Sequence, residues 1–249
     1  MEIISIINQK GGVGKSTTAH ALGSGMAMAG KRVLFVDLDG QCNLSQTLNI
    51  DNPKYSVLDV MLGRAAAKDA IAVCEYGHAL AASPSLATAD TLITEVGKEF
   101  RLKEALDTVH SNYDFIILDT PPALGILTVN ALTASTGVII PAQADIYSLQ
   151  GIEQLAGTID VVKKYTNPNL KIKGILLTRY NSRTVLTRDI GDIIRYKAEE
   201  LGAVLYSAAI RESVAIKEAQ VSRTSILSYA PKSNAAEDYK QFLKEVLEG

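Results

Sequence analysis

Cysteine is nearly absent, and what is missing narrows the possibilities before any motif is read. Cys42 and Cys74 are the only two in 249 residues, too few for a disulfide framework and not at metal-ligand spacing. Free thiols of this kind suit a reducing compartment. No apolar run approaches the ~18 residues of a membrane-spanning helix, and the opening residues have the pattern of a strand rather than a secretory signal. A cytoplasmic protein is therefore predicted. No proline/serine-rich linker, internal repeat or low-complexity tract divides the chain. Net charge is −2, so bulk electrostatics points to neither nucleic acid nor anionic membrane. His78 and His110 have no partners at ligand spacing, which argues against a histidine metal centre.

What is present suits one α/β domain spanning residues 1–249, with 47% hydrophobic and 21% charged residues, enough for a full core. Apolar runs alternate with helical patterns, the signature of a mostly parallel, twisted sheet with helices on both faces. Strands are predicted near 2–8, 32–38, 78–82, 114–118, 136–140, 172–178 and 204–209. Helices are predicted near 15–29, 56–62, 98–110, 125–134, 148–165, 186–201, 214–220 and 235–247. Residues 44–110 are the least informative. The last helix carries Tyr239, Phe242, Leu243, Val246 and Leu247 as a core-facing stripe, with no basic amphipathic extension of the kind that targets membranes.

Lys10-Gly11-Gly12-Val13-Gly14-Lys15-Ser16-Thr17 stands between the first apolar strand and the first helix. Strand, glycine loop, Lys-Ser and helix form the context of a phosphate loop, and so of a P-loop NTPase fold. Glycines let backbone N–H groups converge on one anion, and the helix N-terminus adds its positive dipole end. Lys15 supplies charge for the β- and γ-phosphates, and the Ser16 hydroxyl is suited to Mg²⁺. The ordinary loop pattern has glycine where Gln9 stands, and Lys10 opens the loop instead.

The strand Lys31–Asp39 ends in two carboxylates, Asp37 and Asp39, which project from one face of a strand. A carboxylate there can hold a water in line with a γ-phosphate. The alternative for Asp37 and for Asp39 is a polar strand end capping the following turn. Tyr113–Asp119 is an apolar strand ending in Asp119, suited to the water shell of a bound Mg²⁺, and Pro121-Pro122 then redirects the chain.

The form K-G-G-V-G-K-S-T resembles the deviant Walker A loop of the ParA/MinD ATPases. The segments Leu127–Ala134, Ile139–Gln143 and Tyr147–Gly151 resemble the Soj/ParA branch, which acts in chromosome and plasmid partition. The resemblance implies an ATPase with ATP and Mg²⁺ as cofactors. It implies that Lys10 reaches the partner's nucleotide in an ATP-sandwich homodimer, that Asp39 orients the attacking water, that Asp37 lies near the metal, and that residues 119–125 form a switch sensing the γ-phosphate. The loops around Arg179 and around Arg211 and Ser213 correspond to those that frame adenine. Ser213 stands where the family commonly has asparagine, and Gly40 and Cys42 replace the proline and glycine of the turn after Asp39.

Between Lys171 and Lys232 stand 11 Lys/Arg and 6 Asp/Glu. By the resemblance, Arg183, Arg188, Arg195, Lys197, Lys217 and Arg223 form a patch for nonspecific DNA, which places the protein on the nucleoid. Ala215 stands where arginine is often found. A ParB-like DNA-binding protein is the implied activator. No helix-turn-helix extension precedes the first strand, so operator binding is not expected. The alternative is a MinD-like positioning ATPase that recruits a protein partner without DNA. An iron–sulfur reductase ATPase needs two cluster cysteines at its dimer face, a requirement that Cys42 and Cys74 do not suit.

Overall fold

A computed structural model describes residues 1–181 and 184–248. Its strands are β1 (Glu2–Ile6), β2 (Val33–Asp37), β3 (Ile71–Cys74), β4 (Gly77–Leu80), β5 (Phe115–Asp119), β6 (Gly137–Ala142), β7 (Lys171–Tyr180) and β8 (Val204–Arg211). They form one eight-stranded sheet in the order β3-β4-β2-β5-β1-β6-β7-β8. Every pairing is parallel except β3 with β4.

Burial follows from this topology. Every residue of β2 is buried, as a parallel strand covered on both faces requires. Side chains alternate between layers. Ile4, Ile6 and Phe35 pack with the helices Lys15–Met28 and Asn234–Glu248. Ile3, Leu34 and Val36 pack with Leu102, Leu106 and Ala131 on the other face. The helices Ile146–Tyr165 and Val185–Glu200 cover β6 and β7. Gly23 allows the first helix to lie against β2, because a Cβ there would stand 2.2 Å from the Phe35 ring. The chain leaves β1 toward β2 on one side and later crosses from β5 to β6 on the other. That reversal opens a crevice at the C-terminal end of β1.

Several local expectations need correction. Strand β3 was not expected. Three of its residues are half-buried and the fourth, Val73, is 80% exposed, so no clean alternation marks it. It pairs back on β4 through a tight turn, where Gly77 takes φ 131°. The helix expected at 98–110 breaks into a 3₁₀ turn Lys98–Phe100, an α-helix Arg101–Asp107 and a 3₁₀ turn His110–Asn112. In the final helix Tyr239, Phe242 and Val246 are buried, but Leu247 is 39% exposed.

The outer strand β8 slips register against β7 between Leu205 and Ala209. The backbone N–H groups of Ser207 and Ala208 donate instead to the Glu245 carboxylate, at 2.8 and 2.9 Å.

Candidate nucleotide site

The loop after β1 is shaped by two left-handed glycines, Gly12 (φ 74°) and Gly14 (φ 88°), and Gly14 is the N-cap of the helix Lys15–Met28. A Cβ at Gly11, Gly12 or Gly14 would meet nothing within 4 Å, so their conformation, not crowding, demands glycine at positions 12 and 14. The loop is tied down from behind. Asn8 donates through Nδ2 to the Pro141 carbonyl at 2.7 Å and accepts the Lys10 N–H at 2.9 Å. The buried Thr178 hydroxyl donates to the Val13 carbonyl at 2.8 Å. Gln220 Nε2 donates to the Thr17 hydroxyl at 2.9 Å. Apart from the local Asn8–Lys10 contact, these tethers were not legible in the sequence, because each joins residues that are close only once the sheet has formed.

Lys15 is buried, and its Nζ donates to the Lys10 carbonyl at 3.2 Å. Burial lowers its pKa, while the charges of Asp119 and Asp39 act to raise it. Asp37 and Asp119 lie side by side in the β2–β5 register. Asp37 accepts from the N–H and hydroxyl of Ser45 at 2.8 and 2.7 Å and from the Asp39 N–H at 3.0 Å. It therefore caps the turn after β2. Burial pushes its pKa up to about 6 against those hydrogen bonds. Asp39 in turn accepts the Gln41 N–H at 3.0 Å. Cys42 sits in the same turn at φ 58°, the left-handed conformation a glycine would take without strain.

Asp119 is wholly buried, and neither carboxylate oxygen has a hydrogen-bond partner of good geometry. Burial first, and then the Asp37 charge, raises its pKa well above the carboxylate range, with Ser16 and Lys15 offsetting part of this. An orphaned buried carboxylate facing a hydroxyl fits a hydrated divalent cation. Among the described residues no cluster of three His, Cys, Asp or Glu side chains could hold a metal alone, so phosphate and water oxygens would complete such a shell.

Above these groups lies a cavity of ≈ 550 Å³ lined by Gly11, Gly14, Lys15, Ser16, Thr17 and Asp39, and farther on by Gln46, Gln220 and Arg223. A smaller cavity of ≈ 160 Å³ adjoins it, lined by Val13, Thr178, Arg179, Arg211, Ser213 and Ile216. Arg179, at φ 49°, pairs with Glu212 at 2.7 Å. The Arg211 guanidinium is held by Asp238 of the last helix at 2.6 Å. Ser213 starts the helix Val214–Val221 without a side-chain cap.

At the loop's outer edge the Lys10 ammonium lies 2.5 Å from Asp145 Oδ2 and donates to Gln143 Oε1 at 3.2 Å. The signal for Asp145 was local only. It precedes the helix Ile146–Tyr165 and accepts the Ser148 N–H at 2.9 Å, as an N-cap does.

The basic residues do not form one uniform patch. Arg188, Arg195 and Lys217 are exposed, without ion-pair partners among the described residues. Lys197 pairs with Glu153 at 3.2 Å and Glu200 at 3.1 Å, and Arg223 pairs with Asp51 at 2.6 Å. Arg183 lies outside the described residues.

Residues 1–172 match the family model described as an AAA domain. The chain is 41% identical to the sporulation initiation inhibitor protein Soj of Bacillus subtilis, over 98% of each chain. It is 37% identical to the chromosome partitioning protein ParA of Myxococcus xanthus, over 98% of this chain and 87% of that one. A crystal structure of cobyrinic acid a,c-diamide synthase from Mycobacterium smegmatis with bound ADP and magnesium superposes with a TM-score of 0.86 at 33% identity, covering 100% of this chain and 94% of that one. A glycine cradle at the switch point of a parallel sheet, with a buried lysine and an orphaned carboxylate beneath it, places the molecule among the P-loop nucleoside triphosphatases. Within that class, the chain belongs to the Soj/ParA family of ATPases.

Proposed function

We propose that the chain is a dimerising switch ATPase of DNA partition, in which ATP closes two subunits face to face and hydrolysis reopens them. The observation that carries this reading is the arrangement around the loop: Lys15 and Asp119 buried at its floor, Asp39 lining the cavity, and Lys10 at its outer edge.

Backbone N–H groups of residues 11–17 bind the phosphates at the helix N-terminus. Lys15 contributes charge where it develops on the transferring phosphoryl group. Ser16, and Asp119 through water, would hold Mg²⁺, which supplies charge neutralisation at the β- and γ-oxygens when bound. Asp39 accepts a hydrogen bond from the attacking water and aligns it. Asp37 stiffens the turn that carries Asp39 and shapes the field at the metal position. Lys10 completes the partner's site from across the interface, as an arginine finger does in trans. The base lies in the smaller cavity between the Arg179 and Arg211–Ser213 loops, where backbone groups read its edge in place of the missing amide and Ile216 forms an apolar wall. A second copy would cover apolar side chains exposed beside the loop, Ile146 at 57% and Tyr147 at 70%.

Arg188, Arg195 and Lys217 give each subunit a basic half-site for nonspecific DNA, and dimerisation doubles the phosphate contacts. A ParB-like protein accelerates turnover, and the cycle runs in the cytoplasm on the nucleoid. Among the described residues no helix is long and apolar enough to cross a membrane.

Neutralisation of Lys197 and Arg223 by carboxylates favours a second reading, a positioning ATPase that recruits a protein partner instead of DNA. Sedimentation of Asp39→Ala with ATP, with and without duplex DNA, tests the two. A long-lived dimer with a salt-sensitive DNA shift is expected. A dimer that ignores DNA selects the second reading, and a monomer with ATP overturns both.

A further inference from the structure

We propose that Asp145 is a brake on self-association: it holds the Lys10 ammonium to its own subunit, and the ATP-bound dimer forms only when that ion pair is given up. The inference rests on the reading of Lys10 as the residue that crosses between subunits.

The geometry makes the two uses of Lys10 exclusive. Its Nζ is 2.5 Å from Asp145 Oδ2 and donates to Gln143 Oε1 at 3.2 Å. Asp145 cannot follow the lysine outward, because its other oxygen accepts the Ser148 N–H at 2.9 Å and caps a twenty-residue helix. The backbone of Lys10 is equally fixed. Its N–H is held by Asn8 at 2.9 Å, and its carbonyl accepts from Lys15 Nζ at 3.2 Å. Only the Lys10 side chain can move. The same turn touches the phosphate loop again through Gln143 Nε2, which donates to the Gly12 carbonyl at 3.4 Å. Occupation of the loop by phosphate thus acts on a segment that Gln143 and Asp145 already clasp at both ends.

The ion pair is part-exposed, its side chains 31% and 32% accessible, so it is a weak restraint that a triphosphate's charge can outbid. A pair of this exposure corresponds to a factor of about three per subunit. Two brakes are released per dimer, which makes the effect on dimer affinity about tenfold. Asp145 is a positioning residue here and has no contact with the reacting atoms.

The test compares Asp145→Asn with its parent in the Asp39→Ala background, by sedimentation velocity with ATP and Mg²⁺. Asparagine still caps the helix and loses only the charge, and Asp145→Ser provides a second neutral cap should the first variant fold poorly. The expected result is a dimer about tenfold tighter, with the gap to the parent closing at 0.5 M salt. No such gain is expected when Lys10→Ala is also present. An unchanged or weakened dimer in a parent that itself dimerises overturns the brake and leaves the dimer reading standing. A gain that persists without Lys10 overturns it too. A parent that stays monomeric with ATP overturns the dimer reading and the brake together.

Discussion

The two halves of the sheet's functional edge hold their charges in opposite ways. At the ends of β1, β2 and β5, Lys15, Asp37 and Asp119 are buried, and Asp119 has no hydrogen-bond partner of good geometry. At the ends of β7 and β8, Arg179 and Arg211 are exposed and each is matched by a carboxylate, Glu212 and Asp238. A buried carboxylate without a partner raises the free energy of its site and is relieved by taking up a proton or by a ligand. The Arg179–Glu212 pair, exposed on both sides, contributes little and is readily exchanged. On the proposed function, chemistry falls to groups that are fixed and under-satisfied, and recognition to groups that can be re-paired.

The largest effect should come from the rigid half. Lys15→Ala is expected to lower the ATP hydrolysis rate at least ~100-fold in a phosphate-release assay, with the circular dichroism spectrum unchanged. A loss below tenfold would break the contrast.

Asp119→Asn sharpens it from the side of stability. Both Asp37, at about 6, and Asp119 have folded-state pKa values above those of an unfolded chain. Their protonated forms thus favour folding below about pH 4. That contribution is lost as pH rises through the folded values, so the nucleotide-free protein is penalised at neutral pH. Asp119→Asn should raise the melting temperature of the nucleotide-free protein by ~2–6 °C at pH 7.5, with a smaller gain at pH 5, while hydrolysis falls more than ~10-fold. A lower melting temperature at pH 7.5 would show that Asp119 is already satisfied in the empty site.

In the adaptable half, the Arg188→Glu/Arg195→Glu double variant should weaken duplex DNA binding about tenfold at low salt and flatten its salt dependence. DNA-free hydrolysis should stay within twofold of the parent. The smallest change is expected from Lys197→Ala, less than about threefold on DNA binding, because its charge is already neutralised. Equal losses for the paired and the unpaired cations would erase the distinction.

How much of this could be read beforehand follows the same division. Lys15, Ser16, Asp39 and Asp119 were legible because a phosphate loop and two strand ends impose residue types at fixed local spacing. The alternation of strands and helices was legible for the same reason. The Lys10–Asp145 and Gln220–Thr17 contacts were not, since they join residues 135 and 203 positions apart and no local rule couples them. Asp37 was placed at the site, but the sequence left open whether it capped a turn, and Ser45 shows that it does. The pairing of Arg223 with Asp51 was hidden as well, because a run of basic residues says nothing of the acids that fold against it. Strand β3 escaped because a half-exposed edge strand leaves no periodic trace.

The carboxylate of Glu245 seated on the Ser207 and Ala208 amides has a bearing on crowded cellular conditions. An outermost strand normally advertises unpaired donors to any other extended chain. Here two backbone donors of that strand are occupied by a charged side chain from the last helix, which also carries charge to that margin. Lateral polymerisation by strand addition is thereby disfavoured at this border.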